Sequence, residues 1–236
     1  MMPVFRLRKW HRWLGVVIGV QLSLWIVSGI YFAWSDIDMI HGDELRVFPE
    51  PVVADSTWVS PTEVTGVAGT VLTQVAVVDL LGRPTWRIDV MRDGERATVL
   101  ADATTGSVRP PLSQEEARSV AVASFASDAA VTAVDSLCPD DVDAHHEYRG
   151  GPLPAWRVSF AHGSGTRVYV SAAGGHVVTH RNARWRIFDF LWMLHTMDYR
   201  GRDDINTAQL RIVSVAALLV GVSGYGLFWR TRKRRR

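Results

Sequence analysis

One cysteine, Cys138, occurs in 236 residues. No intrachain disulfide can form, and no thiol pair exists for redox exchange or a zinc cluster. Acid is missing from both ends. The first 35 residues carry four basic side chains (Arg6, Arg8, Lys9, Arg12) and no acid, and residues 210–236 carry seven basic side chains and no acid. All 24 acidic residues lie between Asp36 and Asp204, facing only 15 of the 26 basic ones. The formal net charge of +2 therefore averages two basic ends and an acidic middle. This pattern excludes a uniformly basic nucleic-acid binder and a disordered chain, and it argues against a simple cytosolic enzyme. The motifs of common enzymes are missing too: there is no G-x-S-x-G, H-E-x-x-H or P-loop. No catalytic set is assigned. No metal set is assigned either: His145 and His146 beside Glu147 would point to opposite faces of a strand. Asp140, Asp141 and Asp143 follow Pro139 and read as a solvated loop. His162, His176 and His180, in or beside a hairpin, have no evident partner in the sequence.

Long apolar runs are present. Residues 13–34 and Ile212–Trp229 are charge-free over 22 and 18 residues. A bilayer core of about 30 Å needs roughly 20 apolar residues in a helix, so both are expected to span. The first run is too long for a signal-peptide h-region and lacks an A-x-A-like site, so it reads as an uncleaved anchor. Basic flanks stay in the cytoplasm. The expected topology is a cytoplasmic segment 1–12, a span 13–34, an external middle, a span 208–229 and a basic cytoplasmic tail 230–236 that contacts anionic lipid. Gly15, Gly19 and Ser23, with Ala217 and Gly221 in the second run, form small-residue stripes that fit a helical hairpin.

The middle repeats itself. Residues 86–108 and 156–177 each open on Trp-Arg and alternate into a glycine-bearing tip, Asp93-Gly94 or Gly163-Ser164-Gly165. Each closes on Gly-x-Val at Gly106 or Gly175, a hairpin pattern. A strand is expected before each hairpin, at 74–79 and 130–134, and an extra one around 142–148. Ser60-Pro-Thr-Glu63 and Ser113-Gln-Glu-Glu116 fit the S-x-x-E capping box at a helix start. The first helix is a turn or two, and the second runs from Gln114 to about Phe125. The expected fold class is α+β: two helix-plus-antiparallel-sheet units, 35–110 and 111–183, between two transmembrane helices.

The unit ending in Ala101-Asp102-Ala103-Thr104-Thr105-Gly106 resembles the PepSY domain. The spans, with Trp10-His11-Arg12-Trp13-Leu14-Gly15 entering the first, resemble the PepSY-associated transmembrane family. Pro154-Ala-Trp-Arg157 belongs to the same likeness, which covers nearly the whole chain. The second unit departs from it at Ser171, where the first has Asp102. The resemblance implies a bacterial inner membrane protein with a periplasmic middle. It implies units that accompany proteases as inhibitory propeptides or sit beside reductases.

Residues 184–199 form an aromatic segment in which Trp185, Phe188, Trp192, His195 and Tyr199 recur at helical spacing. It reads as an interfacial helix seating the outer domain on the bilayer. His195 hydrogen-bonded to Asp198 or to a backbone carbonyl is the structural reading. Haem ligation by His195 or His11 is the functional one, raised by relatives that look like ferric-siderophore reductases. His11 and His195 fall at opposite faces of the membrane. A haem b would therefore need His195 with His41, two copies of His11, or a partner protein. The leading expectation is a binding, regulatory or accessory subunit without a cofactor. It would contact the lipid bilayer and another membrane or periplasmic protein, and no nucleic acid. The alternative is an electron-transfer component of an iron- or flavin-linked reductase, with haem or quinone at the aromatic segment.

Overall fold

The computed structural model describes residues 4–232. The basic run at 233–236 lies outside the described residues. In chain order the elements are α1 (Val4–Trp34), α2 (Ile37–His41), β1 (Val71–Asp79), β2 (Pro84–Arg92), β3 (Glu95–Asp102), β4 (Val108–Arg109), α3 (Gln114–Ala123), β5 (Val131–Leu137), β6 (Ala155–Phe160), β7 (Arg167–Ser171), β8 (Val177–Arg181), α4 (Ala183–Thr196) and α5 (Ala208–Arg232). The chain divides into two compact units. One holds the residues up to Asp36 and from Ile187 onward; the other is Ile37–Arg186.

The first unit is helical. α1 starts before the apolar run because nothing from Val4 to Arg12 breaks a helix; Gly and Pro are both absent there. Its 31 residues give a length of about 46 Å. α1 and α5 are each long and apolar enough to cross a membrane. Val16, Val20 and Ile26 on α1, and Val215, Leu218 and Val222 on α5, are exposed, as lipid-facing side chains would be. The two helices pack antiparallel. His11 Nδ1 lies 2.9 Å from Ser223 Oγ, and a Cβ at Gly15 would lie 4.0 Å from Val220. The small-residue stripe is only partly the interface, since a Cβ at Gly19 or Gly221 would meet nothing within 4 Å. Ser23 turns back to the Gly19 carbonyl.

The second unit holds two four-stranded antiparallel sheets, ordered β1-β2-β3-β4 and β5-β6-β7-β8. The first hairpin turns through Asp93 and Gly94, both at positive φ (53° and 83°), the geometry that matches strand twist. The two sheets share a set of long-range hydrogen bonds. Trp86 Nε1 donates to the Val59 carbonyl at 2.9 Å, and Trp156 Nε1 to that of Leu112 at 2.9 Å. Val59 N–H and Leu112 N–H bond to the Ala103 and Ala172 carbonyls. Gly106 and Gly175 N–H bond to the Asp102 and Ser171 carbonyls, with φ of 71° and 66°. A Cβ there would come within 3.0 Å of Val59 or 3.1 Å of Leu100, so glycine is required for space as well as for conformation.

What precedes each hairpin differs. Ser113 makes the full capping box with Glu116, and α3 buries Ala117 and Ala121. The first box does not form. Ser60 Oγ pairs with the Thr62 hydroxyl, and only a 3₁₀ turn, Pro61–Glu63, follows. Gly66 and Gly69, both at positive φ, stop a helix from propagating. Val64 and Val67 take the helix's place over Ile88, Val90 and Ala101. The main core joins both sheets: Leu80, Leu100 and Leu112 pack with Phe125, Val158, Phe160, Val168 and Val170. Each large apolar side chain buried there contributes roughly 1.5–3 kcal/mol. The strand expected around 142–148 is instead an irregular loop of turns, which follows a 3₁₀ turn at Pro139–Asp141. Asp143 Oδ1 and His146 Nδ1 accept the amides of His145 and Tyr148, which holds the backbone in turns instead of a ladder.

Candidate functional site

His195, flagged by the sequence, sits in a hydrogen-bonded aromatic pocket. α4 carries it against α1. Trp25 Nε1 donates to the His195 carbonyl at 2.8 Å, and Gln21 Nε2 to the Leu194 carbonyl at 3.0 Å. These bonds cap two of the carbonyls that a helix end leaves without a partner. His195 Nδ1 lies 2.7 Å from Ser28 Oγ, and that hydroxyl also points at the Leu24 carbonyl, 2.8 Å away. With the serine hydrogen on Leu24 O, Ser28 accepts from Nδ1–H. Nε2 then carries the lone pair and makes no hydrogen bond among the described residues. Burial lowers the His195 pKa, which favours this neutral form. Phe32 completes the pocket, with ring centroids 5.0 Å from Phe188, 6.0 Å from Trp192 and 5.5 Å from His195.

The aromatic stripe is divided between the two units. Phe188, Trp192 and His195 belong to the helical one. Trp185 belongs to the other, where the Arg181 guanidinium sits 3.9 Å over its ring. Tyr199 is not on the helix, because α4 ends at Thr196 and Met197 turns to φ 56°. The expected His195–Asp198 bond is absent. Asp198 instead accepts the amides of Arg200, Gly201, Asp203 and Asp204 at 3.0–3.1 Å. Those amides, Asp204 foremost, hold its pKa below the usual range. In the turn that follows, Arg202 is half-buried and pairs with Asp189 at 2.6 Å.

His11, the other haem candidate, uses the same device. Its Nδ1 faces Ser223 Oγ, which turns back to the Val220 carbonyl at 2.9 Å. Its ring lies over Gly224, where a Cβ would come within 3.0 Å of Cε1. Along α1, 17 residues separate His11 from Ser28, the partner of His195. At 1.5 Å per residue that is about 25 Å. The two imidazoles therefore do not fit one iron within one copy of the chain. Among the described residues no group of three His, Cys, Asp or Glu side chains is placed to hold a metal.

In the second unit, Asp102 and Gly106 form one turn. Asp102 Oδ1 accepts from Thr104 N–H at 2.8 Å and Thr105 N–H at 3.0 Å. The Thr104 hydroxyl does most to lower its pKa. At Gly175 the equivalent acceptor is Ser171 Oγ, which takes the Gly174 amide.

Sequence reasoning missed Glu147, whose side chain is 10% exposed. Arg186 Nε at 2.6 Å, Tyr169 Oη at 2.6 Å and an Arg167 guanidinium nitrogen at 2.9 Å all donate to its carboxylate. Burial would raise its pKa, but these donors outweigh it and the pKa is lowered. Burial also pushes the neighbouring Tyr148 up to about 12. His180, 1% exposed and bonded through Nε2 to Ser124 Oγ, is pushed down to about 4 by burial and by the Arg46 charge. Nothing in the sequence pointed to Ser28 or Ser223. Gln21 did carry a signal, as a lone amide inside a charge-free run.

A family model described as the PepSY-associated TM region matches residues 8–236. The chain belongs to the PepSY-associated TM region family. The match takes in both long apolar helices and both sheets, so this PepSY-associated chain is a membrane protein in contact with the lipid bilayer. No curated protein matches it, and no solved structure does.

Proposed function

We propose that this is a two-pass membrane protein whose residues 35–183 form two PepSY-like units, 35–110 and 111–183, acting as a non-catalytic binding, regulatory or accessory module. Both termini are cytoplasmic and the module is periplasmic, in a bacterial inner membrane. One observation carries the reading. The buried ionisable groups of the module are engaged in holding the fold, with Glu147 among Arg167, Tyr169 and Arg186 and His180 on Ser124. What the module offers outward is surface. The charge asymmetry supports the orientation: a reporter fused after Arg236 is expected to be active in cytoplasmic form only, and alkaline phosphatase activity there would reverse the topology.

A second reading rests on the open Nε2 of His195. It is an electron-transfer role in iron- or flavin-linked reduction, with haem b or quinone at the aromatic segment. His195 Nε2 would be the atom that holds the group, Ser28 would fix the tautomer of its ring, and Phe32, Phe188 and Trp192 would exclude water. A second nitrogen would have to come from His41, from another copy of the chain or from a partner protein. The test is an absorption spectrum of the detergent-purified full chain. The module reading expects no Soret band. A Soret band that is lost in His195→Ala, with the fold retained, would establish the haem reading instead.

A further inference from the structure

Four strands lie at sheet edges, and three are protected. β4 is two residues long. β8 is five residues long and carries His180 and Arg181. β5 carries Asp135, paired with Arg157, and Gln114 Nε2 covers its Val134 carbonyl. β1 is different. It is nine residues long, and from Val71 to Val78 it contains no charged residue and no proline. Its inner side pairs with β2; past the bulge at Thr73 the register is regular from Gln74 to Asp79. No backbone group of Gln74–Val78 bonds to anything other than β2 among the described residues. Val71 and Val75 are 66% and 41% exposed. Natural proteins block such edges with charge, proline, bulges or cover, because a bare one recruits another strand.

The end of β1 narrows the choice of strand. Asp79 lines a cleft of about 250 Å³ with Glu50, Pro51, Val52, Trp58, Gly82 and Pro84. Asp79 accepts only the Gly82 amide, and Glu50 has no hydrogen bond or ion pair among the described residues. The cleft thus presents two carboxylates and an indole with no basic side chain among them. A cation suits such a lining.

We propose that β1 receives an extended segment of another protein as an added strand. The segment is uncharged along the edge and bears one basic side chain at the end that reaches the Glu50–Asp79 cleft. Main-chain bonds give such a complex its affinity, and the cleft gives it direction and selectivity. The proposal rests on the binding-module reading, and its test does not depend on the absorption spectrum that decides that reading.

The test is amide hydrogen exchange on the detergent-purified full chain with three synthetic probes. These are Lys-Thr-Val-Thr-Val-Thr-Val, its counterpart with Glu in place of Lys, and the Lys peptide N-methylated at alternate residues. At a concentration ten times Kd, the Lys peptide should slow the outward amides of residues 74–78 about tenfold. The Glu peptide should bind more weakly and the N-methylated one not at all. Glu50→Gln should reduce the preference for Lys over Glu. Val75→Lys, at an exposed position, should abolish protection without lowering Tm. Unchanged exchange in β1 with the Lys peptide at about 1 mM, the weak end of specific binding, would overturn the proposal. So would β1 amides already slow without peptide, with Val75→Cys in a Cys138→Ser background forming a disulfide dimer. The edge would then belong to a second copy of the chain.

Discussion

The two sheets use one hydrogen-bonding scheme and are finished differently. In each, an indole N–H reaches a carbonyl of the segment before the first strand or helix, and a glycine at positive φ closes the last hairpin. The second sheet is covered by a regular helix, α3, and its loop 138–154 buries Glu147 and Tyr148 beside Tyr169. The first has a single 3₁₀ turn, a two-residue last strand and a bare first edge. The shared scheme is set by backbone geometry, which tolerates varied side chains. The finish depends on whether the local sequence can sustain a helix and supply buried donors. The second sheet is built for stability, and the first keeps a surface open.

The sharpest way to break this contrast is to remove the buried carboxylate of the second sheet. Glu147→Ala leaves the buried Tyr169 hydroxyl without its acceptor and takes the partner from the partly exposed Arg167 and Arg186, and losing hydrogen bonds to a charged group costs about 1.5–3 kcal/mol. Asp89→Ala in the first sheet, which removes one bond from Thr98, should cost about 1 kcal/mol. Denaturant unfolding of the solubilised protein, followed by tryptophan fluorescence, would compare the two. Equal losses would mean that Glu147 does not anchor its sheet.

Acid should weaken the second sheet first. His180 has a folded pKa of about 4, below its unfolded value near 6.5. The unfolded chain therefore binds the extra proton. Stability is fully present above about pH 6.5 and declines toward pH 4, by on the order of 3 kcal/mol. Glu147, whose folded pKa is lowered, adds a further loss as pH falls from its unfolded value near 4.3 through the folded one. His180→Gln should flatten the profile between pH 6.5 and 4. An unchanged profile in that variant would remove His180 as the cause.

The glycine pair tests the shared part of the scheme. Gly106→Ala and Gly175→Ala each force a Cβ into the left-handed region and against Val59 or Leu100. Each should cost about 1–3 kcal/mol. Similar losses in Tm would sharpen the equivalence of the two turns, and a loss confined to one would break it.

The smallest expected effect separates the two S-x-x-E boxes. Ser113→Ala should cost about 1 kcal/mol, because Ser113 caps α3. Ser60→Ala should change stability by less than about 0.5 kcal/mol, since it loses only an exposed hydroxyl pair. The same thermal melts would show it, and a larger effect at Ser60 would indicate that the first turn is capped after all.

The sequence by itself determined the features that depend on near neighbours. Charge-free runs set the two long helices, alternation around Asp93-Gly94 set the first hairpin, and Ser113 with Glu116 set the start of α3. In each case the interacting residues lie within a few positions, so their pattern is visible along the chain. The tertiary structure decided the rest. Ser28 meets His195 across 167 positions. Glu147 collects donors 20, 22 and 39 positions away. The stretch expected to be a strand at 142–148 became a loop because its side chains satisfy its own amides and Tyr148 packs on Tyr169. The identical S-x-x-E pattern at Ser60 failed for lack of a helix to cap. Such contacts are chosen by which distant surfaces can be buried together, and no local period in the sequence records that choice.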